Sequence, residues 1–359
     1  MKYKPDFEQL NRLTDKGFLR KVENGDLVLY NYTNKCTYDR KWNEHTLNAR
    51  GTIYNKLTGD IVAYAFPKFF NFGELSVSKQ RNILKQKDFS ISEKVDGSLG
   101  ICYFHNNKWN VNTRGSFDSD QAIEATKMLD NYNFNSIPSY LTILCEIIYP
   151  ENKIIVDYGS DRKLVLLGAY NILTREEVFG DALRQYTKLS GLEISRQYKF
   201  YSIEELIKKQ DILTKQEEGF VVRLKDGYRI KFKSKKYLEL AKMASNITPL
   251  CFWRKMKNGC VDASWLSLIP EEFREAADKI QNELESKYRK IHSEIKKSLI
   301  ALEYIYGPNY DIFKKYIGIN QRLFKYSGGL FLLIDKKYDK LDSYILKQFR
   351  PKGNEMGEA

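Results

Sequence analysis

Glu93-Lys94-Val95-Asp96-Gly97-Ser98 lies between two apolar segments, Phe89 to Ile91 and Leu99 to Phe104. The run from Asp88 to Val95 alternates with period two, which predicts a strand. Phe89, Ile91, Glu93 and Val95 then share one face, and Ser90, Ser92 and Lys94 the other. Asp96-Gly97 predicts a turn, because glycine tolerates positive φ and aspartate bonds its own backbone. Lys94 is thereby placed at a strand end, on the polar face, beside a turn with backbone N–H groups to offer. Alone, the pattern equally describes an exposed lysine ahead of a D-G hairpin. Lys225-Asp226-Gly227 is such a turn in the same chain, with nothing chemical around it.

Five other segments change the balance. Glu218-Gly-Phe-Val-Val-Arg-Leu224 alternates cleanly and puts Glu218 on the face of Phe220, Val222 and Leu224. A carboxylate there needs a cation or donors, since burying it alone is costly. After the turn, Arg229, Lys231 and Lys233 alternate with Tyr228, Ile230 and Phe232. Three cations on one strand face repel one another unless an anion sits between them. Glu146 interrupts Leu141 to Tyr149, a run that otherwise predicts a fully buried strand. Arg50 opens the strand Gly51 to Tyr54, and Lys68 sits within Phe66-Pro67-Lys68-Phe69-Phe70-Asn71. Each feature has a bland explanation, an internal ion pair or a solvated edge. All five together do not.

In this order the segments resemble the covalent nucleotidyltransferases, most closely the RNA ligase 1 type of phage T4. The matching stretches are Ala49-Arg50-Gly51, Pro67-Lys68-Phe69-Phe70-Asn71, Glu93 to Ser98, and Arg114-Gly115-Ser116. They continue with Cys145-Glu146 and Pro150 to Ile154, Leu166 to Asn171, Glu218-Gly219-Phe220-Val221, and Ile230 to Ser234. The lone K-x-D-G is a weak signal and the ordered set a strong one. It covers about Arg50 to Ser234, roughly half the chain.

The resemblance implies an ATP-dependent RNA ligase that works in three phosphoryl transfers. Lys94 attacks the α-phosphate to give lysyl-AMP, AMP passes to an RNA 5′-phosphate, and a 3′-OH displaces it. A protonated lysine is a poor nucleophile, so Lys94 must lose its proton through desolvation or nearby cations, with Lys231 and Lys233 the candidates. Both lysines also suit the phosphate charge of the transition state. Arg50 and Lys68 are implied at the triphosphate and Arg114 at the nucleotide or phosphate. Glu218 is the main metal carboxylate for Mg²⁺, with Mn²⁺ as a substitute. Glu146 takes the ribose hydroxyls and, with Asp96, an outer metal role. Tyr170 is an adenine-stacking ring or a core residue. The rivals are a capping-type or DNA-ligase-type nucleotidyltransferase, and a basic RNA-binding protein without catalysis.

The rest of the chain fits around this centre. A length of 359 predicts two domains: an α+β adenylyltransferase domain, 1–240, rich in antiparallel sheet, and an all-α domain, 241–359, as an RNA-specificity module. Residues 1–25 predict a short helix and 38–48 a loop. Beyond residue 240, apolar residues from Phe273 to Ile305 recur every three or four positions and predict one helix from Pro270 to Tyr306, roughly 55 Å long. Two more helices, 311–326 and 329–349, are split at Gly328-Gly329. The β-barrel expected of DNA ligases and capping enzymes has no counterpart here. Net charge is +13, which suits a polyanion such as RNA ends but also a lysine-rich chain from an AT-rich genome. Five cysteines without a C-x-x-C pair and three scattered histidines supply neither zinc nor Ser-His chemistry. No apolar run is long enough for a membrane span, so a monomeric, cytoplasmic protein is expected.

Overall fold

The computed structural model describes residues 3–351 except 211–212, 215, 245–246, 260, 262–264, 267–268, 270–272 and 321–323. Cys260 and Pro270 therefore lie outside the described residues. The chain divides into two compact units, Met1–Ala241 and Lys242–Ala359.

The first unit is α+β and built on three sheets. An antiparallel sheet of Leu19–Asn24, Leu27–Tyr32, Arg50–Asn55 and Ile61–Ala63 follows the opening helix Phe7–Asp15. The strand Leu19–Asn24 occupies part of the expected 1–25 helix, because Leu19 and Val22 pack against the sheet instead of a helical partner. The expected 38–48 loop follows a short capped helix, Asn34–Tyr38, and itself holds another, Glu44–Asn48, which begins with a reciprocal Asn43–Thr46 capping box.

The second sheet runs Glu177–Val178, Lys163–Asn171, Leu141–Ile148, Ser98–His105, Lys108–Thr113. Leu141–Ile148 is buried at every position, as a central strand covered on both faces must be. Ile143, Cys145 and Ile147 pack beneath the helices Asp120–Met128 and Asp181–Ser190. The third sheet runs Gln197–Tyr198, Phe89–Glu93, Gly219–Leu224, Arg229–Lys233, Phe70–Asn71. Ile91, Phe220, Val222, Ile230 and Phe232 form its core with Ile83, Ile203 and Leu206 from two helices.

This topology corrects the hairpin alternative. Phe89–Glu93 and Ser98–His105 are adjacent in sequence but belong to different sheets. The Asp96-Gly97 turn carries the chain across from one to the other, and Lys94 sits at that crossing.

In the second unit the helix Arg274–Tyr306 buries Ala277, Leu284, Ile291, Ile295 and Leu302 along one stripe. The region expected as one helix over 329–349 is two, Ser327–Ile334 and Tyr338–Lys347, with Lys336 at φ +56° between them. Gly328 and Gly329 lie inside a helix, not between two. A Cβ on either would meet the Tyr344 ring at 2.8 to 2.9 Å, so they serve close packing.

Gly219 separates Glu218 from the rest of its strand at φ +148°, where a Cβ would stand 1.9 Å from the Phe232 carbonyl oxygen. No side chain fits without moving the neighbouring backbone. Gly219→Ala is expected to cost at least about 2 kcal/mol. Denaturant unfolding checks this; an unchanged midpoint would show that the two strands can part freely.

Candidate active site

The register of the third sheet assembles the centre. Phe220 pairs with Glu93 across one strand boundary, and Gly219 pairs with Lys233 across the other. The Lys94 N–H donates to the Gly219 carbonyl at 2.9 Å and the Ser234 N–H to the Glu218 carbonyl at 2.8 Å. Those two backbone bonds leave Glu218 between Lys94 and Lys233. Lys94 Nζ lies 2.5 Å from Glu218 Oε2, and Lys233 Nζ lies 3.0 Å from Oε1. Glu218 is 2% exposed. Burial pushes its carboxyl up, but the two ammonium groups outweigh that and hold it below the ordinary value.

Above this triad opens a cavity of about 500 Å³, ample for a nucleotide. Lys94, Lys231, Lys233, Arg50, Arg114 and Glu146 all line it. Lys231 lies over the Phe69 ring at 5.1 Å and Arg50 over the same ring at 5.3 Å. Nη1 of Arg50 is buried without a hydrogen-bond partner, and burial lowers the pKa of this guanidinium. A buried donor with nothing to bond calls for an anion. Arg114 donates from Nη1 to the Tyr32 hydroxyl at 2.8 Å.

Glu146 enters from the second sheet, opposite Leu99. Its Oε1 accepts the Gly97 N–H at 3.0 Å. Burial drives its pKa up to about 7; Lys94 and Arg50 pull it down, while Glu218 and Asp96 push it further up. Among the described residues no group of three His, Cys, Asp or Glu side chains could hold a metal by itself. Glu146, with one oxygen bonded to the backbone, suits instead a cation held by one or two carboxylates together with substrate phosphates.

Three of the expected site residues stand elsewhere. Asp96 accepts from the Ile155 and Val156 N–H groups at 3.0 and 2.8 Å and from the Tyr237 hydroxyl at 2.9 Å. With both oxygens engaged, and off the cavity wall, it anchors the turn and does not offer itself to a metal. Tyr170 is buried in the core, edge-on to Tyr64 and Phe66 at 5.0 and 5.9 Å, so it is the core residue of its two readings. Lys68, also buried, is absent from the cavity lining and lies within 4.9 to 5.6 Å of the Phe70, Tyr32 and Trp42 rings.

Other contributors had no signal in the sequence. Glu177 pairs with both Arg223, at 2.9 Å, and Arg229, which also lies over the Phe66 ring at 4.0 Å. Tyr32 and Asn31 come from a strand with no motif. Phe66 adjoins the stretch Pro67-Lys68-Phe69-Phe70-Asn71 and Phe69 lies within it, which was the one available hint.

The family model for T4 RNA ligase 1-type RNA ligases matches residues 48–237. The chain belongs to this RNA ligase family. Among individual proteins, an RNA ligase of Rhodothermus phage RM378 is 23% identical over 347 residues, covering 76% of this chain and 77% of that one. A protein of Autographa californica nuclear polyhedrosis virus, provisionally named a bifunctional polynucleotide kinase/RNA ligase, is 28% identical over 291 residues. That match takes in 73% of this chain but 40% of the viral protein, so this chain spans less than half of that relative. In fold, an archaeal ATP-dependent RNA ligase superposes with a TM-score of 0.51 at 17% identity, over 80% of this chain and 79% of that one. A protein of Aquifex aeolicus, provisionally named an ATP-dependent DNA ligase, gives 0.50 at 15% identity, over 92% and 79%.

The pKa of Glu146 has a consequence for stability. Below pH 4.5 the carboxyl is neutral whether the chain is folded or not. Between pH 4.5 and about 7 the unfolded form ionises while the folded one keeps its proton, so stability falls as pH rises. Above pH 7 the penalty is complete, on the order of 3 kcal/mol. Glu146→Gln removes it. The variant should match the parent near pH 4 and exceed it in melting temperature at pH 8. A gap that does not widen with pH would show that the carboxyl is not held neutral.

Proposed function

We propose that this chain is an ATP-dependent RNA ligase that joins a 5′-phosphate to a 3′-OH through lysyl-AMP and RNA-adenylate intermediates. The observation that carries the reading is the Lys94–Glu218–Lys233 triad at the floor of a cation-lined, nucleotide-sized cavity. Family membership and the ATP-dependent ligases of similar fold support it.

Lys94 is the nucleophile. Its Nζ forms a bond to the α-phosphorus while the bond to the bridging oxygen breaks, releasing pyrophosphate and leaving AMP on the lysine. The amine must first give up a proton to solvent, while Glu218, in contact with Nζ and held ionised by the two ammonium groups, orients it. The sequence pattern set Lys233 beside Lys94 as a cation that repels this proton. The carboxylate between them offsets that repulsion, so Lys233 acts on Lys94 through Glu218 and on the phosphates directly. Arg50, Arg114 and Lys231 face the same cavity and suit the remaining phosphate charge.

When bound, Mg²⁺ or Mn²⁺ neutralises phosphate charge. Glu146 would hold it, joined by Glu218 once an ammonium has left that carboxylate. The same lysine then hands AMP to an RNA 5′-phosphate, and the 3′-OH displaces AMP as the strand closes. Tyr237, bonded to Asp96, keeps the nucleophile turn in place throughout these exchanges. Residues 242–359 supply RNA specificity.

Incubation with [α-³²P]ATP should label the protein in an acid-stable adduct that Lys94→Ala abolishes. Labelling of that variant would remove Lys94 from the role. Lys231→Ala and Lys233→Ala should each slow adduct formation by roughly 10²- to 10³-fold, the first with a melting temperature within a few degrees of the parent and the second with a lower one, because it takes one ammonium from the buried Glu218. Offering RNA and DNA ends in parallel separates RNA ligase from DNA ligase.

A further inference from the structure

The helix Arg274–Tyr306 turns its apolar stripe inward through Leu284, Ile291, Ile295 and Leu302. At 3.6 residues per turn, the opposite side carries Arg289, Lys290, Ser293, Lys297, Ile300 and Tyr304, all exposed. From Arg289 to Tyr304 this side extends roughly 22 Å. Over that length the helix has two carboxylates, Glu294 and Glu303, and both fall on its flanks. Lys290 and Lys297 make no ion pair among the described residues, while Arg289 reaches back to the flanking Glu285 at 3.4 Å. A merely solvated helix face mixes its signs; this one has separated them.

Two apolar side chains mark one end of the stripe. Tyr304 is 92% exposed and Ile300 61%. Next to Lys297 a cavity of about 240 Å³ is lined by Phe324, Lys325, Tyr326 and the carboxylate-bearing Glu294. Lys325 lies over the Tyr326 ring at 5.1 Å. Cations at intervals, with aromatic rings beside Lys297 and at the end of the stripe, match a strand whose phosphates are regularly spaced and whose bases are unstacked. A duplex keeps its bases from such rings. A lipid surface asks for a continuous apolar face, which a stripe of Arg289, Lys290, Ser293 and Lys297 lacks.

Resting on the RNA ligase reading, we propose that this side of the long helix docks single-stranded RNA. Arg289, Lys290 and Lys297 take phosphates, Tyr304 stacks a base, and the Phe324–Tyr326 cavity receives another.

The test uses the full chain and a fluorescein-labelled single-stranded oligoribonucleotide, followed by anisotropy from low to moderate salt. The double variant Lys290→Gln/Lys297→Gln should bind at least tenfold more weakly at low salt, with the slope of log K against log salt reduced by about 1.4. Tyr304→Ala should weaken binding roughly tenfold without changing that slope. Both variants should keep the parent melting temperature and form the ATP adduct at the parent rate, because adduct formation needs no RNA. Parent-like RNA affinity in both variants overturns the proposal. So does binding of the stripe to phosphatidylserine vesicles or to duplex RNA in preference to the single strand. If the parent forms no ATP adduct but the variants still lose RNA, the ligase reading fails and the docking surface stands.

Discussion

One buried carboxylate holds the centre together. Glu218 sits almost out of reach of water, where an isolated charge would cost several kcal/mol, and it is kept there by ammonium groups on two different strands. Removing either lysine would leave a poorly compensated charge, so the three groups specify one another's positions. The geometry also depends on backbone. Gly219 allows the strand Arg229–Lys233 to approach so closely that no Cβ would fit. Without that approach Lys233 would not reach the oxygen opposite Lys94.

The same strand shows how a row of like charges is made tolerable. Arg229, Lys231 and Lys233 share one face, and the fold gives them different surroundings. Glu177, from the neighbouring sheet, takes Arg229 together with Arg223. Glu218 takes Lys233. Lys231 lies between them over the Phe69 ring, lining the cavity. Charge at one end of the strand is thus spent on joining two sheets, and at the other on a reactive amine.

What could be read from the sequence, and what could not, divides along the range of the interactions. Alternation over 88–95, 218–224 and 228–233 located three strands because each pattern is local. It could not say that Phe89–Glu93 and Ser98–His105 enter different sheets, since a D-G pair makes a crossing as readily as a hairpin. The misplaced residues share a cause. Asp96, Tyr170 and Lys68 have types that suit phosphate, base or metal, but neighbours remote in sequence claim them: Tyr237 and the backbone at 155–156, Tyr64 and Phe66, and the rings of Tyr32, Phe70 and Trp42. Glu177 escaped notice for the converse reason. Its own segment is polar and turn-like, and its importance lies wholly in two arginines some fifty residues away. In the helical unit, Gly328 and Gly329 read as a break because glycine weakens helices, whereas packing against Tyr344 made its small size the deciding property.

The two buried glutamates of the cleft are driven in opposite directions, and this sets the charge of its walls. Glu218, with an ammonium at each oxygen, stays ionised, and its charge is already matched. Glu146, buried and accepting one backbone N–H, is raised to about 7, so near neutrality about half of it carries a proton. Arg50 and Arg114 line the same cavity, where the other carboxylate among the described residues is Glu93, whose own pKa burial raises. A cleft lined by several cations and few ionised carboxylates favours an anion. Positive charge beside Glu146 would lower that pKa and favour the ionised form. Environment alone, acting on two identical side chains, holds one ionised between two lysines and leaves the other poised near neutrality.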